Sequence, residues 1–191
     1  IPNDQFSLKG QKYIALLAGS RKQEIKTALP LFEQLAKANP DLSFVIAGIS
    51  DWKELYQTSI PVLFDQTYDV VQQAELAIVT SGTATLETAL LNTPQIVVYK
   101  TDWLFYSLAK IVIQIKYISL VNIILDKLAV PELIQAKFSV DHMTAWMREL
   151  LTKGNAYQQQ KEDYKNLQTL VGKAGASKKT AELIYSAASA K

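Results

Sequence analysis

The 191-residue chain contains no cysteine, which excludes disulfides and thiolate metal centres. It has one histidine, His142, so a histidine-rich metal site is excluded too. His142 follows Asp141 near the expected start of a helix and reads as a capped surface residue. An excess of one charge is also missing: 20 Lys and Arg stand against 18 Asp and Glu. The basic residues are scattered, which leaves no electrostatic footprint for nucleic acid. No uncharged apolar stretch reaches the roughly 18 residues that a bilayer span needs, and no segment reads as a secretory signal. Neither GxGxxG nor GxxxxGKS/T occurs, so a dinucleotide fingerprint and a P-loop are both absent.

What is present is ordinary for a folded chain, with 49% hydrophobic and 20% charged residues. The length favours one domain, or one domain with an appendage. Short apolar runs at residues 13–17, 43–47, 61–64, 76–79, 95–99 and 117–120 read as strands. Between them lie segments of helical periodicity at 22–37 (interrupted by Pro30), 51–58 (capped by Asp51), 68–74, 83–91 and 103–115. Residues 121–129 read as loop or short helix, and 131–135 as the start of another short helix. Strands that are short and apolar on both faces, alternating with helices, predict an α/β fold: a Rossmann-like parallel sheet with helices on both faces. Residues 139–153, 156–171 and 177–188 read as helices without strand partners. The predicted organisation is therefore a sheet domain over 1–138 and a helical extension over 139–191, packed on that domain or on another. Ile1-Pro2-Asn3-Asp4 has no initiating Met and leads almost directly into a buried-type strand, so the chain is expected to be cut from a longer protein.

In sheets of this kind, ligands sit outside the carboxyl ends of the strands, where strand order reverses. Two polar turns fall at such ends. Gly19-Ser20-Arg21 follows the first strand, and Arg21 suits a diphosphate clamp. Ser81-Gly82-Thr83 follows the fourth, with Gly82 expected in a conformation closed to other residues. Ser81 or Thr83 is expected to cap the next helix, whose N-terminal N–H groups suit an anion. Glu87, a turn into that helix, suits a ribose diol or simply offsets the helix dipole. Asn122 is either a ligand-reading amide or a turn residue. The aromatic run 103–106 reads as core or interface, or as a membrane-facing patch flanked by Lys100 and Lys110.

Several of these segments, in order, resemble one family. Ala18-Gly19-Ser20-Arg21 with Glu24, then 81–90 (SGTATLETAL), then Pro94 and Val97-Val98-Tyr99, are similar to the C-terminal half of the lipid-A-disaccharide synthases. So are 117–122 (YISLVN) and 130–135 (VPELIQ). The resemblance implies the nucleotide-binding half of a GT-B glycosyltransferase that needs no metal or other cofactor. The family transfers a diacylglucosamine unit from UDP-diacylglucosamine to diacylglucosamine 1-phosphate, forming a β-1,6 disaccharide precursor of lipid A. It implies UDP contacts at Gly19, Ser20, Arg21, Ser81, Gly82, Thr83 and Glu87. Ile118 and Leu120 would edge the uracil, and Asn122 and Gln135 would line the cleft. The catalytic groups and acceptor site would belong to an N-terminal half absent here, so this chain would bind UDP weakly and not turn over by itself. The location implied is cytoplasmic, peripheral at the inner membrane. The chain departs from the family pattern at Ala18, in place of Pro, and at residues 123–127. There Ile-Ile-Leu-Asp-Lys replaces Leu-Leu-Ala-Gly-Arg. Other readings of the same residues are another UDP-sugar enzyme, such as an epimerase, and a non-catalytic nucleotide-binding module.

Overall fold

The structure, a computed structural model, describes residues 10–100 and 116–172 together with Tyr185. The helices expected at 103–115 and 177–188 therefore lie outside the described residues, apart from Tyr185. Strands β1 (Ile14–Leu17), β2 (Phe44–Gly48), β3 (Val62–Phe64), β4 (Leu76–Thr80), β5 (Gln95–Tyr99) and β6 (Glu132–Ile134) form one sheet in the order β3-β2-β1-β4-β5-β6. Every pairing is parallel. β1, β2 and β4 are buried along their whole length, because both sheet faces are covered by helices.

One face carries α1 (Lys22–Ala38) and α5 (Val140–Leu151). Ile25, Phe32 and Leu35 of α1 pack there with Met143 and Met147 of α5 over Leu16, Ile46, Ile78 and Ile96. Pro30 sits on the exposed side of α1, and the helix runs through it. Its missing N–H therefore costs a hydrogen bond only where water replaces it. The opposite face carries α2 (Thr67–Gln72), α3 (Thr83–Leu90), α4 (Leu120–Leu125) and α6 (Asn155–Val171). Val70 and Val71 of α2 pack on Tyr13, Ala15 and Val79. Ala89, Val97, Val121, Tyr164 and Leu167 form a separate cluster beside them.

Polar pairs fix the two long C-terminal helices to the sheet layer. Arg148 of α5 donates from both Nη atoms to Asp41, at 2.6 and 2.7 Å, and from Nη2 to Asn39 Oδ1 at 2.9 Å. These donated bonds hold the Asp41 carboxyl below the ordinary carboxylate range. On α6, the Gln160 amide pairs with the backbone of Gln95, accepting from its N–H at 3.0 Å and donating to its carbonyl at 3.1 Å. Burial pushes the neighbouring Tyr164 phenol well above its usual range.

Two expected elements are placed differently. Residues 117–120 are not a strand: Ser119 is the N-cap of α4, accepting from the Asn122 N–H. The sixth strand is Glu132–Ile134, in the segment that read as helix. The Glu132 carboxylate explains the exchange, because it takes the backbone N–H groups of Ile118 and Ser119 that a strand would have offered to a neighbour. Asp51 is not a cap either; it lies inside a 3-10 turn, Ser50–Leu55, whose N-cap is Ile49. In the atypical segment 123–127, Asp126 ends α4 at φ 46°. That left-handed conformation is one that Asp tolerates better than most residues other than Gly.

Candidate functional site

The strand order reverses between β1 and β4, both of which feed their turns to the same edge of the sheet. A cleft of about 490 Å³ opens there. Gly19, Ser20, Arg21, Ser81, Gly82, Thr83 and Glu87 all line it, so the structure brings together seven of the residues singled out in the sequence. Their chemistry differs from the expectation in three respects.

First, the turn after β1 is closed on itself. The Glu24 carboxylate accepts from the N–H of Ser20 at 3.1 Å and of Arg21 at 3.2 Å, and from Arg21 Nη1 at 3.1 Å. A carboxylate three residues into a helix commonly caps it this way. Gly19 is obligatory there, for its φ is +93° and a Cβ would stand 2.9 Å from the Glu24 Cβ. Trp52 Nε1 donates to the Ser20 carbonyl at 3.2 Å, bracing the turn from outside. What this end offers a ligand is the rest of the Arg21 guanidinium, whose side chain is 81% exposed.

Second, neither Ser81 nor Thr83 caps α3. Its N-cap is Gly82, with no side-chain cap, and Thr83 is its first residue. The Ser81 hydroxyl instead donates to the Ile118 carbonyl at 2.9 Å, and its N–H donates to Val98 O at 2.9 Å. Ser81 thus has no N–H or hydroxyl proton left for an anion. The N–H groups of Gly82, Thr83 and Ala84 carry no hydrogen bond among the described residues. They lie at the positive end of the helix dipole.

Third, Gly82 does not need to be glycine for its backbone. Its φ of 163° is extended, and a Cβ there would meet nothing within 4 Å. The missing side chain leaves space in the cleft. Glu87 lines the cleft half-buried, and its carboxylate makes no hydrogen bond or ion pair among the described residues.

The four remaining candidates are not among the cleft-lining residues. Asn122 is fully buried. Its Oδ1 accepts from Ala129 N at 2.8 Å and Val130 N at 2.9 Å, while its Nδ2 donates to Val130 O at 2.9 Å and Glu132 Oε1 at 2.8 Å. All four hydrogen-bonding positions of the amide are used within the protein, and Asn122 holds the α4–β6 connection. Ile118 donates its N–H to Glu132 and Leu120 opens α4, both half-buried. Gln135 follows β6 at φ 55°, with its Nε2 buried and without a partner among the described residues.

The sequence reading missed Thr80, Ala84, Thr67, Tyr68 and Ile49 as cleft residues, and Glu24 as the group that closes the first turn. Glu24 was detectable from its capping spacing to Arg21. Thr80 was detectable as a polar residue ending an apolar run. No group of three or more potential metal ligands occurs among the described residues. No helix among them is long and apolar enough to cross a membrane.

A family model for lipid-A-disaccharide synthetase matches residues 4–186. The lipid-A-disaccharide synthase of Anaeromyxobacter sp. (strain K) is 35% identical over 182 residues, covering 88% of this chain and 48% of that protein. That of Sulfurihydrogenibium sp. (strain YO3AOP1) is 32% identical over 198 residues, covering 92% of this chain and 51% of that protein. The chain thus spans about half the length of these relatives. Among solved structures, the glycotransferase of kitacinnamycin superposes with a TM-score of 0.55 at 18% identity, over 91% of this chain and 42% of that one. That likeness is one of fold, and the fold is that of one half of a GT-B glycosyltransferase. With sequence and architecture agreeing over nearly its whole length, the chain belongs to the lipid-A-disaccharide synthetase family.

Proposed function

We propose that the chain is the donor-binding half of a lipid-A-disaccharide synthase and holds the UDP part of UDP-diacylglucosamine in the β1/β4 cleft. The observation that carries this reading is the open N-terminus of α3, facing a cleft that also holds Arg21 and an uncommitted Glu87 carboxylate. The diphosphate lies on the N–H groups of Gly82, Thr83 and Ala84, where the helix dipole favours negative charge. The exposed Arg21 guanidinium closes over it from the opposite turn. Glu87 accepts from the ribose diol, as acidic residues do in other nucleotide sites of doubly wound sheets. Diacylglucosamine 1-phosphate is the acceptor. Its site and the catalytic groups come from the part of the relatives that this chain does not span. Because donor and acceptor are acylated, the enzyme works at the surface of the inner membrane on its cytoplasmic side.

UDP titrated into isotope-labelled protein is expected to shift the amides of 82–84 most and those of 19–21 less. No shift at millimolar UDP, or shifts confined to other regions, would overturn the reading. Glu87→Ala is expected to weaken UDP by about tenfold, the loss of one or two charge-assisted hydrogen bonds. Pyrophosphate should be held within about twofold of wild type, since it lacks the diol that Glu87 meets. Equal losses for the two ligands would remove Glu87 from the ribose.

A further inference from the structure

Thr80 ends β4 and is one of the residues lining the cleft. It is 7% exposed, and its Oγ1 is buried with no hydrogen-bond partner among the described residues. Buried hydroxyls nearly always find one, because desolvation without compensation is costly. Among the described residues, unpartnered buried side-chain atoms also occur on Thr88, Gln95, Gln135 and Asp163. None of those residues lines the cleft.

A helical threonine can donate to the carbonyl one turn back, as Thr85 does to Gly82. A threonine in a central strand has no such local acceptor. β4 is paired with β1 as far as Val79 and with β5 through Thr80, so the carbonyls along these strands are engaged in the sheet. The nearest hydroxyls in sequence do not pair with it: Ser81 donates to Ile118, and Thr83 lies on the helix beyond the turn.

We infer that Thr80 is a ligand-contacting residue: its hydroxyl, buried in the free protein, turns about χ1 toward the cleft on binding and donates to a phosphate oxygen of the nucleoside diphosphate. The inference rests on the proposed reading of the cleft as a nucleotide site. A phosphate oxygen is the appropriate acceptor because the groups beside Thr80 are the donors at the start of α3, which draw negative charge to that spot. The ligand then supplies the acceptor that the fold withholds. The hydroxyl therefore acts with opposite signs in the two states. It destabilises the free protein and contributes to affinity in the complex. A threonine that only packs does neither.

Thr80→Val removes the hydroxyl at nearly constant shape, and Thr80→Ser keeps it. For each variant of the 191-residue chain, the unfolding midpoint is measured without ligand, and UDP and inorganic pyrophosphate are titrated calorimetrically. Thr80→Val is expected to unfold at or above the wild-type temperature and to bind both ligands about five- to twentyfold more weakly. Thr80→Ser should bind both within about twofold of wild type. If Thr80→Val binds both as tightly as wild type, the inference fails while the nucleotide reading stands. If it weakens UDP alone, the phosphate assignment fails. A lowered midpoint in Thr80→Val accompanying the weaker binding makes Thr80 a structural residue and also overturns the inference. Wild-type protein that does not bind UDP sinks the nucleotide reading, and this inference with it.

Discussion

The turns after β1 and β4 look alike in sequence. Each follows a buried parallel strand, contains a glycine and a serine, opens a helix, and reaches the same cleft. Their chemistry is opposite. In the first turn, the N–H groups of Ser20 and Arg21 already face the Glu24 carboxylate. In the second, no side chain caps α3, and the N–H groups at 82–84 are open. The glycines divide the same way: Gly19 is required by its backbone and its packing, and Gly82 by neither. A helix N-terminus is an anion site only where the helix has not already supplied the anion itself. The turn after β4 is thus the one that can receive phosphate, and the turn after β1 contributes a cation, Arg21.

The largest expected effect lies behind the second turn. Ser81 is tied to Ile118, Ile118 to Glu132, and Glu132 to the buried Asn122. Asn122→Ala leaves the backbone groups of Ala129 and Val130 without their partners and opens a cavity. It is expected to cost about 3 kcal/mol or more of unfolding free energy in urea titrations. A loss below about 1 kcal/mol, together with abolished UDP binding, would restore Asn122 as a ligand-reading residue. Next come the two glycines. Gly19→Ala is expected to cost about 2–4 kcal/mol, from a strained left-handed backbone and a clash with Glu24. Gly82→Ala should stay within about 1 kcal/mol of wild type and yet weaken UDP, because its methyl group enters the cleft. If both variants lost similar stability, the two turns would be more alike than their geometry indicates.

How much of this was legible in the sequence follows the same division. The sheet, its parallel sense and the position of the cleft could be read because short apolar runs alternating with helical periodicity, and glycine-containing turns, are local signals. The sixth strand could not. Residues 117–120 have strand-like composition, but Glu132 draws their N–H groups, and the interaction spans 14 residues. β6 itself has only two apolar residues, Leu133 and Ile134, so it lacks the apolar run of three or more that marks the other strands. Asn122 was ambiguous for a related reason. An amide in a connecting segment has the same local signature whether it faces a ligand or fills a turn, and only burial separates the two. The hydroxyls at 81 and 83 were legible as a pair, but their roles were not, and Thr80 beside them was passed over. Strand register and the contact to Ile118 leave Ser81 committed and Thr80 without a partner.

The smallest expected effect is the one that most directly tests the contrast between the turns. The Glu24 side chain is 15% exposed, while Arg21 is largely in water, so their ion pair adds little to stability. Glu24→Gln keeps one carbonyl oxygen for the Ser20 and Arg21 N–H groups. It should therefore lower unfolding free energy by only about 1 kcal/mol, the scale of a weakened cap. Its effect on binding should run the other way. The substitution takes a negative charge out of the cleft wall and releases Arg21 Nη1, so pyrophosphate should bind about two- to fivefold more tightly at low salt. The gain should shrink as ionic strength rises, because a screened charge repels less. Weaker pyrophosphate binding in Glu24→Gln would mean that the carboxylate orders Arg21 for the ligand and does not compete with it. In that case the first turn would be part of the phosphate cradle after all.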